Sequence, residues 1–503
     1  MKRVILPMTA LAAFALSASS FAADNNAEST TALTAQVNQL SAETKALQKE
    51  VAVLKNKKHT HRASKKVSSQ NVPTQEPEYT HVAGAPFTPW PHFVTVTTTP
   101  FLYKKTAYDG SDLLYNLSSM NEDLTLLNQK KVIMDEMTAE GYTLDRPILQ
   151  LSGSVQGQAF SNGGFGTKAT DGISLSAAEL DMNAIASSWA TAFMSMSFNG
   201  APVSTGNRAP NSTIYLSRGF ATIGNLNVAP VYFTGGLMYV PYGRYANGMV
   251  NTPVTMSMGR ILSPTALLGF SLDNGLYGSI YGFSGSQTSG GNDLFKQGGA
   301  NLAFKKLFGN DNNYSFGAGW VSNVADAQGQ QNNGIATTGG QFGGFAVSQP
   351  ASNASNNNLV HSVNGFDGHG QVTVGNVSVM GEYLGAIDPY SPADLQYNGA
   401  GALPRSMHAE MDYLLPFFAK KYGTTLGVSF GHTWEALALN LPQDKYSVFV
   451  NTSIWRETTE SIEYDYAQDY AASAIATGRG ATAPILGTGK NSNTVTAQVG
   501  VYF

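Results

Sequence analysis

Cysteine is missing from this 503-residue chain, and with it any disulfide framework, thiolate metal site or cysteine nucleophile. Charge is scarce as well: Asp, Glu, Lys and Arg make up 13% of the residues, about half the usual share. The 34 acidic residues outnumber the 30 Lys and Arg, and most of the basic excess lies near the N-terminus, so nucleic acid is not an expected partner. Long apolar runs are lacking too. After the first two dozen residues no segment offers the roughly 18 consecutive apolar residues of a spanning helix. Any insertion into a bilayer must therefore use strands closed into a barrel. What the chain has in excess is 52 Gly, 25 Phe and 23 Tyr, which with the low charge argues against an ordinary cytosolic enzyme.

Lys2 and Arg3 precede an apolar run over residues 4–16, and small residues end in Phe21-Ala22-Ala23. This pattern predicts a secretory signal peptide over 1–23, too short in its apolar part to anchor the chain. In 24–58, Leu33, Val37, Leu40, Thr44, Leu47, Val51 and Leu54 alternate spacings of four and three, a heptad repeat with Leu at d. A homo-oligomer held by Leu33, Val37, Leu40, Leu47, Val51 and Leu54 is expected, with a trimer among the assemblies left open. A single amphipathic helix lying on a barrel or membrane is the alternative. Residues 59–110 form a basic, Pro-containing periplasmic linker, in which His59 and His61 lack the neighbours a metal site needs. In 111–147, Leu113, Leu114, Leu117, Leu124, Leu127, Ile133, Met134 and Met137 predict a helical segment serving as a periplasmic cap or small plug.

From residue 148 onward the texture becomes short alternating segments bounded by Gly, Asn, Asp or Pro. Leu149, Leu151, Val155 and Ala159 take one face of the first, and Gln150, Ser152, Ser154, Gln156 and Gln158 take the other. Met407, Met411 and Tyr413 oppose His408, Glu410 and Asp412 in the same way, and Ile462, Tyr464 and Tyr466 oppose Ser461, Glu463 and Asp465. One face meets lipid and the other water. The expected fold is all-β: a transmembrane antiparallel barrel over 148–503 of about 16 strands, preceded by a short coiled-coil helix. Strands are expected to start near 148, 173, 189, 211, 229, 254, 275, 298, 313, 359, 376, 405, 423, 444, 458 and 492. Gly375-Asn376 marks a tight turn, and 323–358 reads as a long outer loop or an inward constriction. The alternating C-terminal strand ends on Phe503, which resembles the recognition end read by the barrel assembly machinery. A soluble sandwich would also alternate, but it would need a second sheet to cover its apolar face.

Sixteen strands leave room for an aqueous channel, so passage of a solute is the default function. Glu179, Asp181, Glu382, Glu410, Asp412, Glu463 and Asp465 are expected in the lumen. Arg218, Arg244, Arg260, Arg405 and Arg456 are their basic counterparts near strand ends, together setting a transverse field that orients polar solutes. Eight histidines supply few bases, and no nucleophile motif, zinc-binding helix or phosphate loop accompanies them. No catalytic residue, no metal ligand and no cofactor is expected.

Asn227-Val-Ala-Pro-Val-Tyr-Phe-Thr-Gly-Gly-Leu-Met-Tyr-Val-Pro-Tyr-Gly-Arg-Tyr245, residues 365–385 (GFDGHGQVTVGNVSVMGEYLG) and Ala409-Glu-Met-Asp-Tyr413 carry a likeness. Over these stretches, and in its overall layout, the chain resembles the LbtU-type siderophore porin family. That resemblance implies an outer-membrane barrel with a periplasmic helical N-terminus that imports a ferric siderophore; the chain is too short for about 22 strands and a globular plug, so uptake without plug-type energy coupling is expected. No siderophore-binding residue follows from it. A general diffusion porin and a structural barrel that tethers the envelope are the alternatives.

Overall fold

Alternation of apolar and polar side chains gives each strand one lipid-facing and one lumen-facing edge, and only closure hides the backbone groups of the last strand. The computed structural model describes residues 95–98, 121–139, 143–144, 147–199, 213–285, 297–308, 312–335, 339–347, 358–416, 423–455 and 458–502. The signal peptide, the heptad helix with Leu33, Val37, Leu40, Leu47, Val51 and Leu54, Arg456 and Phe503 lie outside the described residues.

Sixteen antiparallel strands form the barrel. They are β1 Ile148–Asn162, β2 Thr170–Ile185, β3 Ala190–Asn199, β4 Thr213–Gly224, β5 Val231–Tyr239, β6 Leu262–Ser271, β7 Leu276–Phe283 and β8 Gln297–Phe308, followed by β9 Asn312–Val321, β10 Gly365–Val374, β11 Val377–Ala386, β12 Arg405–Leu414, β13 Thr425–Trp434, β14 Asp444–Thr452, β15 Thr458–Gln468 and β16 Asn491–Tyr502. Each strand pairs with its sequence neighbours, and β16 closes the ring on β1 from Ser154↔Tyr502 to Asn162↔Thr494. The strand expected near 254 starts instead at Leu262, because Pro253 opens a helix, α2 (Val254–Gly259), before it. The strand expected near 359 starts at Gly365.

Connections sort by length. Those after even-numbered strands run from the ten residues 415–424 down to the two residues between Val374 and Val377, where Gly375 takes φ +58°, in the left-handed region that favours glycine. Those after odd-numbered strands include the longest, 240–261 and 322–364. The barrel thus has a short-turn mouth and a long-loop mouth. At the latter, loop strands Leu395–Tyr397, Ala400–Gly401, Ile475–Gly478 and Ile485–Leu486 make a small sheet of their own. Phe342, Phe345 and Tyr390 stack beside it with centroids 5.1 and 5.8 Å apart. Near the short-turn mouth, Thr95–Thr98 pairs in parallel with Ile148–Leu151, the edge of β1 that β16 does not reach. A piece of the stretch read as linker is therefore strand, which covers an otherwise open edge.

Outside, Ile173, Ile214, Ile280, Leu302, Ile462 and Val499 stand fully in contact with the surroundings, Ile280 and Ile462 at 61% and 62% exposure. Such a continuous apolar exterior is costly in water and stable only in lipid. Among the described residues no helix is long and apolar enough to cross a membrane. The chain is an outer-membrane-type barrel that crosses with strands.

Candidate functional site: a lumen crossed by two inserts

The lumen of a wide barrel should be lined with solvated polar groups, yet Gln150, Ser154, Asp181, Asn183, Ser195, Glu463 and Thr496 are all buried. Two segments cover them, and each uses a different chemistry.

The first insert is the helix α1, Glu122–Ala139. Its buried stripe runs through Asp123, Leu126, Leu127, Lys130, Ile133 and Met137, spaced three and four apart. Leu124, Leu126 and Leu127 join a cluster with Phe193, Phe220 and Tyr232, inward-facing side chains of β3, β4 and β5. Ile133 and Met137 meet Ile148 and Ile185 at the rim. Large apolar side chains on a lumen face have no purpose in an open pore, and here they seat a helix.

Polar contacts fix its register. Arg218 on β4 donates to Glu122 at 2.6 Å and to Glu179, with Asp181 at 3.7 Å; Arg218, Glu122 and Asp181 are buried and Glu179 is partly so. Its guanidinium carbon also sits 5.7 Å from the Phe193 ring and 5.6 Å from the Tyr239 ring. Thr234 donates to Asp123 at 2.8 Å, and Lys130 donates to the Gly224 carbonyl at 2.7 Å. Toward the short-turn mouth, Lys131 pairs with Asp273 at 3.1 Å and Asn227 donates to Asp135 at 2.8 Å. Glu122 and Asp123 lie in the first turn, where the helix dipole favours negative charge. Burial nevertheless pushes the Asp123 carboxyl up from 3.8 to about 6 and pulls the Lys130 ammonium down from 10.5 to about 8.

The second insert is the loop 240–261 between β5 and β6. It dips inward along the opposite wall, and its backbone N–H groups donate to carboxylates on three strands. Arg244 and Tyr245 donate to Glu382 on β11 at 2.6 and 3.2 Å. Gly248 donates to Glu410 on β12 at 2.6 Å. Val250 and Asn251 donate to Glu463 on β15, and the Asn251 amide reaches Asp465 at 2.9 Å and Thr496 at 3.1 Å. Asn451 of β14 donates back to the Gly248 carbonyl at 2.6 Å. Tyr245 holds φ +57°, a strained conformation for an aromatic residue. It is fixed by the Glu382 contact and by its hydroxyl donating to the Tyr242 carbonyl at 2.8 Å.

Placed against the sequence reading, Glu179, Asp181, Arg218, Glu382, Glu410, Asp412, Glu463 and Asp465 are inward-facing strand residues. They are not opposed ladders across open water, because α1 engages the Arg218 group and the loop engages the acids of β11, β12 and β15. Arg244 belongs to the loop, its guanidinium bonded to Ser315 and Gln371. Arg260 caps α2, 4.8 Å over the Tyr239 ring and 3.0 Å from the Gln328 side-chain oxygen. Arg405 shares the outward parity of Met407, Met411 and Tyr413, and donates to the Ala386 carbonyl at 3.3 Å at the rim, so it does not line the lumen. The stretch 323–358, read as a loop or constriction, packs over α2 in its described part: Gln330 donates to the Met258 carbonyl at 3.0 Å. Asp367 and His369 on β10 and Glu382 on β11 bring one donor atom each within 4.8 Å of one another. Neither the 240–261 insert nor this triad was readable as a site; the inward-facing Phe193 and Phe220 were the available sign that something fills the lumen.

No protein-family model matches the chain. Among solved structures, an anion-selective porin from Comamonas acidovorans aligns with a TM-score of 0.46 and 10% identity, over 71% of this chain and 100% of that one. The barrel assignment rests on the strand pairing itself. In sequence, a UPF0422 protein of Legionella pneumophila strain Lens is 38% identical over 432 residues, covering 84% of this chain and 78% of its own length. A UPF0422 protein of Coxiella burnetii is 31% identical over 421 residues, covering 82% and 84%. A relative 38% identical over 84% of this chain shows the family, and the chain therefore belongs to the UPF0422 family.

Proposed function

We propose that this protein is a selective uptake channel of the outer membrane for a small polar ligand, a ferric siderophore being the leading candidate, and that it is not an enzyme. The single observation that carries selectivity is the double occupation of the lumen: α1 at the short-turn mouth and the loop 240–261 along the far wall are both bonded to the inner wall and narrow the path that free diffusion would use. In barrels of this kind short turns face the periplasm and long loops face outward. In this reading α1 is the periplasmic plug, the small loop sheet packed over buried Phe342, Phe345 and Tyr390 stands at the outer mouth, and the buried acid contacts are the gate.

The siderophore as ligand rests on the resemblance of 227–245, 365–385 and 409–413 to the LbtU-type siderophore porins. The N-terminal signal and heptad support export, membership of a homo-oligomer and a periplasmic N-terminal segment, with Phe503 as the handle for the barrel assembly machinery. The test is single-channel conductance of the full-length chain in planar bilayers, with and without ferric siderophore on the long-loop side. Current steps blocked by the siderophore support the proposal. Steady open current indifferent to it would replace the proposal with a general porin, and absence of current or binding would leave a structural, envelope-tethering barrel.

A further inference from the structure

We propose that Asp367, His369 and Glu382 bind one divalent first-row transition-metal ion, which fastens the inward loop to the barrel wall. The inference is independent of which solute the channel carries.

Register explains why the three meet. Asp367 and His369 are two apart on β10 and so share its inward face, and Glu382 on β11 is the direct cross-strand partner of His369. On the neighbouring strand β9, the partners of Asp367 and His369 are Gly319 and Gly317. A Cβ at Gly319 would lie 2.1 Å from Asp367 Oδ1, and one at Gly317 would lie 2.3 Å from His369 Nε2. Two glycines thus leave the space into which these side chains lean.

The chemistry of the donors is that of a cation site. His369 Nδ1 and Asp367 Oδ2 are hydrogen-bonded at 2.8 Å, a spacing close to the roughly 3 Å that separates two adjacent ligands around an ion bound at about 2.1 Å. Two carboxylates and one imidazole suit zinc, manganese or ferrous iron better than magnesium, which prefers water and oxygen. An independent observation points the same way. Asp367 is 1% exposed and its Oδ1 has no hydrogen-bond partner, and Glu382 is 8% exposed and its Oε2 has none. Buried carboxylate oxygens without a partner are costly, and a bound cation supplies what they lack. The buried Thr255 hydroxyl of α2 lies against the Glu382 carboxyl. Because Glu382 also accepts the backbone N–H groups of Arg244 and Tyr245, an ion held there would join β10, β11 and the loop.

The test uses the full-length folded protein in detergent, stripped with chelator and then given zinc, manganese or magnesium chloride alone. Bound metal per chain is measured by elemental mass spectrometry after gel filtration, and the temperature at which the folded band is lost on a gel is read in parallel. The expected result is one zinc or manganese per chain, an unfolding temperature raised by several degrees, and no effect of magnesium at the same concentration. His369→Gln, nearly isosteric, and the double variant Asp367→Asn/Glu382→Gln should bind at least tenfold more weakly while keeping the folded band; His369→Gln serves alone if the double variant does not fold. His432→Gln, from the outward-facing His432–Asp444 pair at 2.7 Å, should bind as the parent does. Absence of stoichiometric zinc or manganese, unchanged binding in His369→Gln, or loss of binding in His59→Ala/His61→Ala instead would each overturn the proposal.

Discussion

The two inserts that fill the lumen are held in opposite ways. α1 is recognised through side chains: one arginine among three acids, one lysine on a carbonyl, one threonine on a carboxylate, over a stripe of leucines. The loop 240–261 is recognised chiefly through its backbone, whose N–H groups meet Glu382, Glu410 and Glu463. A side-chain dock depends on a few identities and fails sharply when one is lost. A backbone dock tolerates change in the loop, but it depends on the acids of the wall.

The largest expected effect is at Arg218. Arg218→Ala strands the buried Glu122 and Asp181 carboxylates beside the partly buried Glu179, and removing one partner of such a network costs about 3–5 kcal/mol. Urea unfolding followed by tryptophan fluorescence measures it; a loss below about 1 kcal/mol would show that α1 and the wall do not share that arginine. On the other side, Glu382→Ala with Glu463→Ala removes acceptors for four loop N–H groups, each charged acceptor contributing about 1.5–3 kcal/mol. The loop should leave the lumen and single-channel conductance should rise several-fold. Unchanged conductance would mean that α1 alone limits the path.

A smaller effect is expected from pH on the α1 side. The docked Asp123 binds its proton more tightly than a free carboxyl, so docking strengthens as pH falls from about 6 toward 4. The docked Lys130 holds its proton less tightly than a free amine, so docking strengthens as pH rises from about 8 toward 10. Protease cleavage within α1 should accordingly be fastest between pH 6 and 8, and a flat profile would separate helix release from these two groups. The smallest effect is predicted for Arg405→Gln: conductance and ion selectivity should stay at the parent values, since Arg405 faces outward at the rim. A changed selectivity would place it in the path after all.

Much of the barrel was legible in the chain. Only the strand starts read near 254 and 359 are displaced by more than three residues. Both errors fall where a long connection carries its own structure, the helix behind Pro253 in one and the segment folded over α2 in the other. The inward set of acids was also legible, because parity along a strand assigns a face residue by residue. Their partners were not. Nothing in Gly248 or Val250 announces a donor, since every residue has the same backbone N–H. Arg405 shows the converse: a charge near a strand end was assigned inward, whereas its parity with Met407 and Met411 sends it outward.

By itself the sequence determined the strand number, the two faces and the membrane as surroundings, because these follow from a local period of two and from the need to pair every backbone group in lipid. Tertiary structure alone decided what occupies the lumen. Whether a loop lies over a mouth or descends inside depends on contacts 100 to 250 residues distant, such as Asn251 with Thr496 and Arg218 with Glu122. The same holds for Asp367, His369 and Glu382, whose convergence is set by the register of β10 on β11 and by the room left at Gly317 and Gly319.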